Sequence, residues 1–380
     1  MAPATRRDPC PEAAASNRTR RATGRGLSAA TLLVALASAC AHVSTAPSPP
    51  IVEALPCRQI APSTAPPVVW WSPPGDRARD DLSRWCETVG PVLFQPNPAE
   101  ASDRPADRLA IVSWNIHVGG GDVDALVRAL RAGELTAGVP VDAFVLLLQE
   151  AYRRDPAIPA RMMRWHPIPG RIAARTGRGP DVAHIWRDDG LALLYAPSMR
   201  NGIVDVDRED RGNAIVSTLP LGDGTLVELP LERQRRVAAA AVVQGRTRAG
   251  ASWTVRLVDV HLDTALALTH GGPFAARRRQ VETLVRALDA TAPRADRLTT
   301  VLAGDFNTVM GAREPAVAYL RQAFPDGPPA PDGPTFTGPL GFRATLDHVF
   351  VRGRVKTIDV RRLSSRFGSD HSPLLTTIGF

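Results

Sequence analysis

Two polar residues that can do phosphate or metal chemistry follow one of the apolar runs of this sequence. Asp305 and Asn307 come just after the run 298–303, which is typical of a buried strand. Side chains at i and i+2 of an extended chain point the same way, so the two can share one site. A carboxylate can hold a metal ion or a water molecule, and an amide can orient a phosphate or a nucleophile. Taken alone, the pair is equally typical of an Asx turn.

Five further apolar runs end in, or are interrupted by, polar residues of the same kinds, which favours one assembled site over a series of unrelated turns. Carboxylates and amides are the ligands that Mg²⁺ or Mn²⁺ prefers. Histidine adds acid–base capacity near neutral pH. Zinc is disfavoured, because no paired His/Cys spacing is present. The residues are Asn115, Gln149 and Glu150, His261 and Asp263, Asp347 and His348, and Ser369, Asp370 and His371.

The segments that would position these residues are mostly strand-like. Helical periodicity is clearest in the stretches 123–132 and 275–288. Many strands with few helices predict an α/β fold, a layered sandwich with mixed strand pairing. Arg277, Arg278 and Arg279 lie on the second helical stretch, and we expect them to form a solvated face. The strand-like runs are 109–114, 143–148, 191–195, 214–217, 226–229, 237–243, 253–260, 298–303, 346–351, 355–360 and 374–378.

Six short motifs occur in one order within residues 107–380, and in that order they resemble the endonuclease/exonuclease/phosphatase superfamily. It includes deoxyribonucleases, abasic-site endonucleases, neutral sphingomyelinases and inositol polyphosphate 5-phosphatases. Each motif is weak alone, whereas the ordered set is specific. The resemblance implies a four-layer α-β-β-α sandwich of two mixed sheets with outer helices. The motifs are Ser113-Trp114-Asn115-Ile116, Leu148-Gln149-Glu150, Val260-His261-Leu262, Gly304-Asp305-Phe306-Asn307, Leu346-Asp347-His348-Val349-Phe350 and Ser369-Asp370-His371-Ser372-Pro373.

The resemblance implies a metal side and a water side of the site. Glu150 would be the principal Mg²⁺ ligand, with Asn115 beside it contacting the metal or the phosphate. Asp370 resembles a second carboxylate on the metal side. Asp305 would position or deprotonate the attacking water, and Asn307 would orient that water or the phosphate. The resemblance leaves open whether one metal ion or two are bound.

The histidines receive roles at the phosphate from the same resemblance. His371 would lie at the scissile phosphate, with Asp347 fixing its tautomer and ring orientation. His261 matches a second histidine of the deoxyribonuclease and sphingomyelinase branches, where it donates to phosphate oxygens or to the leaving group. The implied reaction is metal-assisted in-line attack of water on a phosphate ester.

Several nearby residues are secondary candidates. Asn213 lies in a segment that resembles a strand of the family, and it either approaches the substrate or has a turn role. Arg200 and Asn201 precede that segment and are candidates for phosphate contact. His117 and His184 are expected to be ordinary surface or packing residues.

The activity that these expectations describe is that of an exported phosphoesterase with Mg²⁺ or Mn²⁺ as cofactor, a phosphodiesterase or nuclease rather than a phosphomonoesterase. Its substrate is open between nucleic acid, phospholipid and inositol phosphate. A sphingomyelinase-like or inositol-phosphate phosphatase acting at membranes is the alternative. Trp70 and Trp71 either form an aromatic rim for that alternative or are packing residues. A non-catalytic surface lipoprotein of the same fold is a further alternative, and we expect a monomer.

The N-terminal residues are typical of an export signal. Half of the formal charge of +8 lies in residues 1–40, so the charge of the remainder is weak evidence for nucleic-acid binding. Arginines precede the apolar run 27–37, which is followed by small residues and Cys40. The segment 36–40 resembles a bacterial lipobox. We therefore expect either a cell-envelope lipoprotein, anchored to the membrane through Cys40, or a secreted or periplasmic protein.

Three regions follow from these features. Residues 1–40 are the export signal, and residues 41–106 are a Pro-rich tether with a small extension. Residues 107–380 are the catalytic domain. Cys57 and Cys86 form an even pair in an oxidising compartment, so we expect a structural disulfide between them.

Overall fold

The computed structural model describes residues 60–61, 68–72, 79–99, 105–159, 181–202, 206–264, 271–292, 298–329 and 332–380. The predicted export signal, Cys40, Cys57 and most of the predicted tether lie outside these residues. The lipid anchor and the Cys57–Cys86 disulfide therefore stay predictions. Among the described helices, none combines the length and the apolar character that a membrane crossing requires.

Strands dominate the described fold, as the sequence predicts. The strands are β1 (Ile60–Ala61), β2 (Val69–Trp71), β3 (Val92–Gln95), β4 (Arg108–Asn115), β5 (Phe144–Arg154), β6 (Ala192–Asn201), β7 (Glu209–Ser217), β8 (Gly222–Glu228), β9 (Val237–Arg246), β10 (Ser252–His261), β11 (Leu298–Asp305), β12 (Phe336–Thr337), β13 (Arg343–Ala344), β14 (Asp347–Arg352), β15 (Thr357–Arg362) and β16 (Leu374–Gly379). The helices are α1 (Arg79–Cys86), α2 (Val123–Arg131), α3 (Val182–Asp189), α4 (Gly272–Ala290) and α5 (Pro315–Ala323). The two predicted helices, 123–132 and 275–288, are confirmed as α2 and α4.

The strands form two large sheets and a two-stranded ribbon of β12 and β13. The order in the eight-stranded sheet is β1-β3-β6-β7-β5-β4-β16-β15, and the order in the six-stranded sheet is β14-β11-β10-β9-β8-β2. Both sheets are mixed. β4 pairs parallel with β5 and β10 pairs parallel with β11, whereas β5–β7, β9–β10 and β11–β14 are antiparallel.

The main hydrophobic core lies between the two sheets. Alternate residues of the central strands, such as Ile111, Val145 and Leu257, point into it, as the period-two geometry of a strand requires. Each fully buried Leu, Ile or Val in this layer contributes roughly 1.5–3 kcal/mol relative to an exposed side chain.

Helices cover the outer faces of both sheets. Leu126 of α2 and Ile185 of α3 pack on the outer face of the eight-stranded sheet. Leu284 of α4 and Leu320 of α5 pack on the outer face of the six-stranded sheet. The predicted four-layer α-β-β-α sandwich is therefore confirmed.

Segments before residue 107 belong to both sheets. β2 pairs with β8 at the edge of the six-stranded sheet, and β3 pairs with β6 in the eight-stranded sheet. β2 buries Trp70 in the inter-sheet core and Trp71 in the layer beneath α4 and α5. The packing interpretation of these tryptophans is confirmed, and the aromatic-rim interpretation is wrong.

The expected solvated face of α4 is wrong for Arg277. Its guanidinium is buried and makes two hydrogen bonds of 2.8 Å to the carboxylate of Glu314, which precedes α5. Breaking one member of such a buried pair leaves an uncompensated charge, so the pair holds α5 against α4. The adjacent Arg278 and Arg279 are more exposed and bond to Glu282 and Glu232 respectively.

Candidate active site

The polar ends of the central strands meet at one edge of the sandwich. β4 and β5 run parallel in one sheet, and β10 and β11 run parallel in the other, so the carboxyl ends of each pair lie together. Asn115 ends β4, whereas His261 and Asp305 end β10 and β11 in the same register. The two sheets touch here, because the Asn115 Nδ2 donates to Asp305 Oδ2 at 3.0 Å.

Asp305 is the centre of this cluster. Its Oδ1 accepts the Asn307 backbone N–H at 2.8 Å. Its Oδ2 lies 3.5 Å from His261 Nε2 and 3.7 Å from His371 Nε2. Burial raises the pKa of Asp305 to about 6, against the opposing effect of His371. The carboxylate therefore titrates close to neutral pH, which suits proton transfer.

The backbone beside Asp305 requires a glycine. A Cβ on Gly304 would lie 1.8 Å from the carbonyl oxygen of Val260 on the paired strand, and φ of Gly304 is +153°. Because Gly304 has no Cβ, strand β11 can lie close to Val260 of β10, next to the paired residues His261 and Asp305.

His371 and Asp347 form a buried dyad. His371 Nδ1 lies 2.8 Å from Asp347 Oδ2. Burial disfavours a charged ring, but Asp347 and Asp305 outweigh it and raise the pKa of His371 to about 10. The ring is therefore an imidazolium at neutral pH, with Nε2 directed toward Asp305.

Hydrogen bonds from three other segments fix this dyad. The Trp114 Nε1 donates to the carbonyl of His371 at 3.2 Å, and the His371 N–H donates to Ser369 Oγ at 3.1 Å. The Ser369 hydroxyl donates to the carbonyl of Asn115 at 2.6 Å. The Thr335 hydroxyl accepts the backbone N–H of Asp347 at 3.1 Å. Hydrogen bonds from side chains of neighbouring segments thus fix the backbone of both members of the dyad.

A β-bulge presents Glu150. The register of β5 against β7 shifts between Leu148 and Ala151, and Glu150 has a left-handed φ of +55°. Gln149 is buried, and its Nε2 donates to Asp259 Oδ1 at 2.6 Å, whereas Glu150 keeps a 22% exposed side chain. The bulge therefore turns the Gln149 side chain into the core and the Glu150 side chain toward the candidate site.

His261 differs from His371 in its charge. Burial lowers the pKa of His261 well below its usual value, and Arg236 and Arg211 lower it further. The ring is therefore neutral at pH 7 and can act as a hydrogen-bond donor or acceptor, whereas His371 carries the positive charge.

The chain matches a family model over most of these elements. The model described as "Endonuclease/Exonuclease/phosphatase family" matches residues 112–371. The chain belongs to the endonuclease/exonuclease/phosphatase family. Members of this family are hydrolases that act on phosphate esters.

Solved structures of this family resemble the chain at low identity. An endonuclease/exonuclease/phosphatase from Beutenbergia cavernae DSM 12333 is 20% identical, with a TM-score of 0.43, covering 72% of each chain. Sphingomyelinase C from Streptomyces griseocarneus is 18% identical, with a TM-score of 0.42, covering 72% of this chain and 99% of its own. Truncated TDP2 from Caenorhabditis elegans is 15% identical, with a TM-score of 0.42, and the match covers 73% of this chain and 100% of its own. Among curated proteins, none matches the sequence.

The donors on the Glu150 side fit the hard divalent cation that the family implies. Glu150, Asn115 and Asp370 offer oxygen atoms, which Mg²⁺ and Mn²⁺ prefer. Asp305, Asp347 and His371 also have ligand atoms within 4.8 Å of one another. An imidazolium has no lone pair for a metal, however, and His371 is protonated by its carboxylate partners. The Glu150 side therefore stays the predicted metal site, and Asp305, Asp347 and His371 stay predicted to handle protons.

Polar contacts also hold the side chains of Asp370 and Asn307. Asp370 Oδ2 lies 2.7 Å from His117 Nδ1. Burial raises the pKa of Asp370, but the hydrogen bond from His117 and the charge of His371 outweigh it, so that the pKa is lowered. Asn307 has a left-handed φ of +52°, and its Nδ2 donates to the Leu262 carbonyl at 2.9 Å. His117 thus contacts Asp370 while its own side chain is 31% exposed, so its expected surface or packing role stays a prediction.

The secondary candidates bond within the protein. Asn213 is buried, and its Nδ2 donates to the carbonyls of Val237 and Asp259 at 3.3 and 3.2 Å, across the gap between the sheets. Its contact with substrate stays a prediction. The buried Arg200 donates to the backbone carbonyls of Pro159 and Asp207, and its contact with phosphate stays a prediction.

Two arginines beside the site were missed by sequence reasoning. Arg211 lies on β7, with its Nη1 3.6 Å from Glu150 Oε2. Arg236 comes directly before β9, and its charge acts on both His261 and the Glu150–Asp305 region. The chain contains many arginines, so neither position has a signal that the sequence alone would reveal.

Proposed function

We propose that this chain is an exported, divalent-metal-dependent phosphoesterase and, within that class, a phosphodiesterase or nuclease. The observation that carries the proposal is one line of contacts across both sheets. The Asn115 Nδ2 lies 3.0 Å from Asp305 Oδ2, and that oxygen lies 3.7 Å from His371 Nε2. The His371 Nδ1 in turn lies 2.8 Å from Asp347 Oδ2. All four are buried at the edge where the parallel strands end. Export and lipid anchoring rest on the N-terminal sequence, and palmitate labelling of wild type against Cys40→Ala tests the anchor.

The residues divide the work of hydrolysis between them. A divalent cation bound by Glu150, Asn115 and Asp370 would neutralise phosphate oxygens as a Lewis acid. Asp305 accepts the proton of the attacking water, since its pKa lies close to neutral. Asn307 is held beside it by Leu262 and orients the water or the phosphate.

The dyad and His261 act on the phosphate oxygens. His371 presents a positive N–H that stabilises charge developing on the phosphate, and Asp347 keeps the ring protonated and oriented. His261 is neutral and offers a hydrogen bond rather than a charge.

A second candidate function, a phosphodiesterase acting on lipid headgroups at membranes, is favoured by a different observation. Large apolar side chains are exposed on two loops next to the site, with Leu340 fully exposed and Met310 and Phe342 half exposed. The Phe342 ring lies 6.3 Å from that of Phe336, which lies 4.9 Å from that of His371. Exposed apolar groups at the mouth of a site suit insertion between lipids.

Variants of the proton-handling residues test the proposal. Hydrolysis of bis(p-nitrophenyl) phosphate, plasmid DNA, RNA, sphingomyelin vesicles and inositol phosphates is measured with Mg²⁺ and with EDTA. We expect Asp305→Asn and His371→Asn to lose at least about a thousandfold in kcat/KM. Asp289→Asn, which removes a surface partner of Arg352, is the control and keeps full activity. Near-zero rates for wild type on every ester would instead support the non-catalytic surface lipoprotein.

The two candidates separate on the apolar loops. Leu340→Ser with Phe342→Ser lowers hydrolysis of sphingomyelin vesicles about tenfold or more if the enzyme works at membranes, and leaves bis(p-nitrophenyl) phosphate unchanged. Equal rates on vesicles, together with plasmid cleavage that falls steeply with salt, would select the nuclease.

A further inference from the structure

Six arginines are buried in the described part of the chain: three are paired with carboxylates, two have at least two neutral oxygen acceptors each, and Arg236 has one. Buried guanidinium groups are stable only where carboxylates or several carbonyl oxygens compensate them. The five bond as follows: Arg153 to Asp210, Arg235 to Glu228, Arg277 to Glu314, Arg200 to the carbonyls of Pro159 and Asp207, and Arg256 to the Leu288 carbonyl and Thr291 at the end of α4.

Arg236 is the sixth, and its partners fall short. Its side chain is 5% exposed. Among the described residues its hydrogen-bond acceptor is the Gln234 amide oxygen, 3.0 Å from Nη2, and its buried Nε has none. A neutral amide does not compensate a full charge in a site shielded from water. Among the described residues no carboxylate bonds directly to the Arg236 guanidinium, so its charge is only partly compensated.

Arg236 is surrounded by charged groups from the edge of the sandwich where the parallel strands end. The carboxylates of Asp263, Glu150 and Asp305 attract its charge, and the cation of Arg211 repels it. Arg211 approaches from the opposite sheet and makes only a long contact of 3.6 Å to Glu150. Arg211 lies two residues before Asn213, whose Nδ2 donates to the carbonyl of Val237, the residue that follows Arg236, at 3.3 Å. The two arginines therefore come from segments that meet across the gap between the sheets, and a pair of guanidinium groups with few acceptors is typical of a site for a phosphate-type oxyanion.

We infer that Arg236 and Arg211 form an anion subsite that holds the non-bridging oxygens of the substrate phosphate. The inference rests on the proposed function, since it names the groups that seat the phosphate which that function would hydrolyse. Arg236 supplies a permanent charge beside the neutral His261, so positive charge reaches the phosphate from both sheets, by Arg236 on one and by Arg211 on the other. Arginine suits this role because its planar fork matches two phosphate oxygens.

Asp263 is the competing explanation for Arg236. Its Oδ2 accepts the backbone N–H groups of Arg233 and Gln234 at 2.7 and 2.8 Å, and its buried Oδ1 has no partner among the described residues. If Arg236 served only to neutralise Asp263, its loss would change stability and not anion binding. Asp263→Asn would then reverse the destabilisation caused by Arg236→Gln.

Binding of inorganic phosphate to the metal-free full chain tests the inference without requiring turnover. Titration calorimetry in EDTA at constant ionic strength compares wild type with Arg236→Gln, Arg236→Lys and Arg211→Gln. We expect saturable one-to-one binding, weakened about 10- to 100-fold by Arg236→Gln and about tenfold by Arg211→Gln. Arg236→Lys keeps the charge but loses the fork, so its affinity lies between those of wild type and Arg236→Gln.

Two controls keep the result interpretable. Arg256→Gln removes another buried arginine away from the site and lowers thermal stability without changing phosphate affinity. Arg248→Gln removes an exposed arginine and changes neither. Unchanged phosphate affinity in a folded Arg236→Gln, or no saturable binding by wild type, would overturn the inference. Failure of the proposed function gives a different pattern, in which phosphate still binds through Arg236 but no ester is hydrolysed.

Discussion

Replacing Asp347 with Asn tests whether its carboxylate keeps His371 protonated. Burial alone disfavours the charged ring, but Asp347, at 2.8 Å, and Asp305 raise the pKa of His371 to about 10. An unfolded histidine titrates near pH 6.5. Because the folded pKa is the higher of the two, the proton stabilises the fold fully below about pH 6.5, and this stabilisation is lost as the pH rises to about 10.

The loss amounts to about 1.4 kcal/mol per pH unit well below pH 10 and to half of that at pH 10, where half of the folded rings are deprotonated, which gives about 2 kcal/mol between pH 8 and pH 10. Asp259 adds little to this loss, because burial raises its pKa only to about 8. We expect the free energy of unfolding of wild type, measured in urea with EDTA, to fall by about 2 kcal/mol between pH 8 and pH 10. The Asp347→Asn curve falls by less than about 1 kcal/mol, since its His371 is neutral in both states at pH 8.

NMR titration of the His371 ring in metal-free protein checks the same reasoning directly, with His371→Gln assigning the resonance. We expect a midpoint near 10 in wild type and below the unfolded value in Asp347→Asn, where burial is left without its main opponent. A wild-type midpoint near 6.5, or equal slopes of stability with pH in both proteins, would refute the assignment of a charged His371.

Three further perturbations follow from the same geometry. Burial raises the pKa of Asp259 to about 8, so its stabilising proton is fully present below about pH 4 and is lost toward pH 8. Asp259→Asn is neutral throughout, so we expect it to be more stable than wild type at pH 8 by about 5 kcal/mol in urea unfolding. Gly304→Ala places a Cβ 1.8 Å from the Val260 carbonyl, so its melting temperature and activity both fall. Gly250→Ala, at a φ of +83° but with nothing within 4 Å of its Cβ, costs only the roughly 1–2 kcal/mol of a left-handed alanine and leaves activity unchanged. Glu150→Gln weakens Mg²⁺ binding in calorimetry at least about tenfold and leaves the melting temperature within about two degrees, since its described ion pair is the long contact to Arg211. Unchanged Mg²⁺ affinity would move the metal to other residues.

The sequence was sufficient to find the edge of the fold where the site lies. Asn115, His261 and Asp305 each follow an apolar run, and parallel pairing places the ends of such runs together. The order of the motifs carries the resemblance to the family, and that resemblance implied the two sheets and the outer helices. The apolar runs and the motifs are local in the chain, which explains why they could be recognised without coordinates.

Features that depend on contacts between distant segments could not be predicted. Strand alternation alone cannot decide which of Gln149 and Glu150 faces the core, because the bulge that separates them depends on the register against β7. Arg236 differs from its neighbour Arg235 only in what surrounds it, since Arg235 meets Glu228 and Arg236 meets no described carboxylate. The sequence alone allows Trp70 and Trp71 to be an exposed aromatic pair, whereas in the structure β2 pairs with β8 and both side chains are buried.

Beneath the site, a polar seam crosses the otherwise apolar layer between the sheets. Gln149 reaches Asp259 at 2.6 Å, and Asn213 reaches the Asp259 carbonyl at 3.2 Å. The seam is incompletely satisfied, because Gln149 Oε1 and Asp259 Oδ2 are buried without partners among the described residues. An apolar pair of similar volume would cost less in the core. The seam joins the bulge that carries Glu150 to the strand that carries His261. We infer that the seam is kept, despite its cost in stability, because it holds these two parts of the active site in one register.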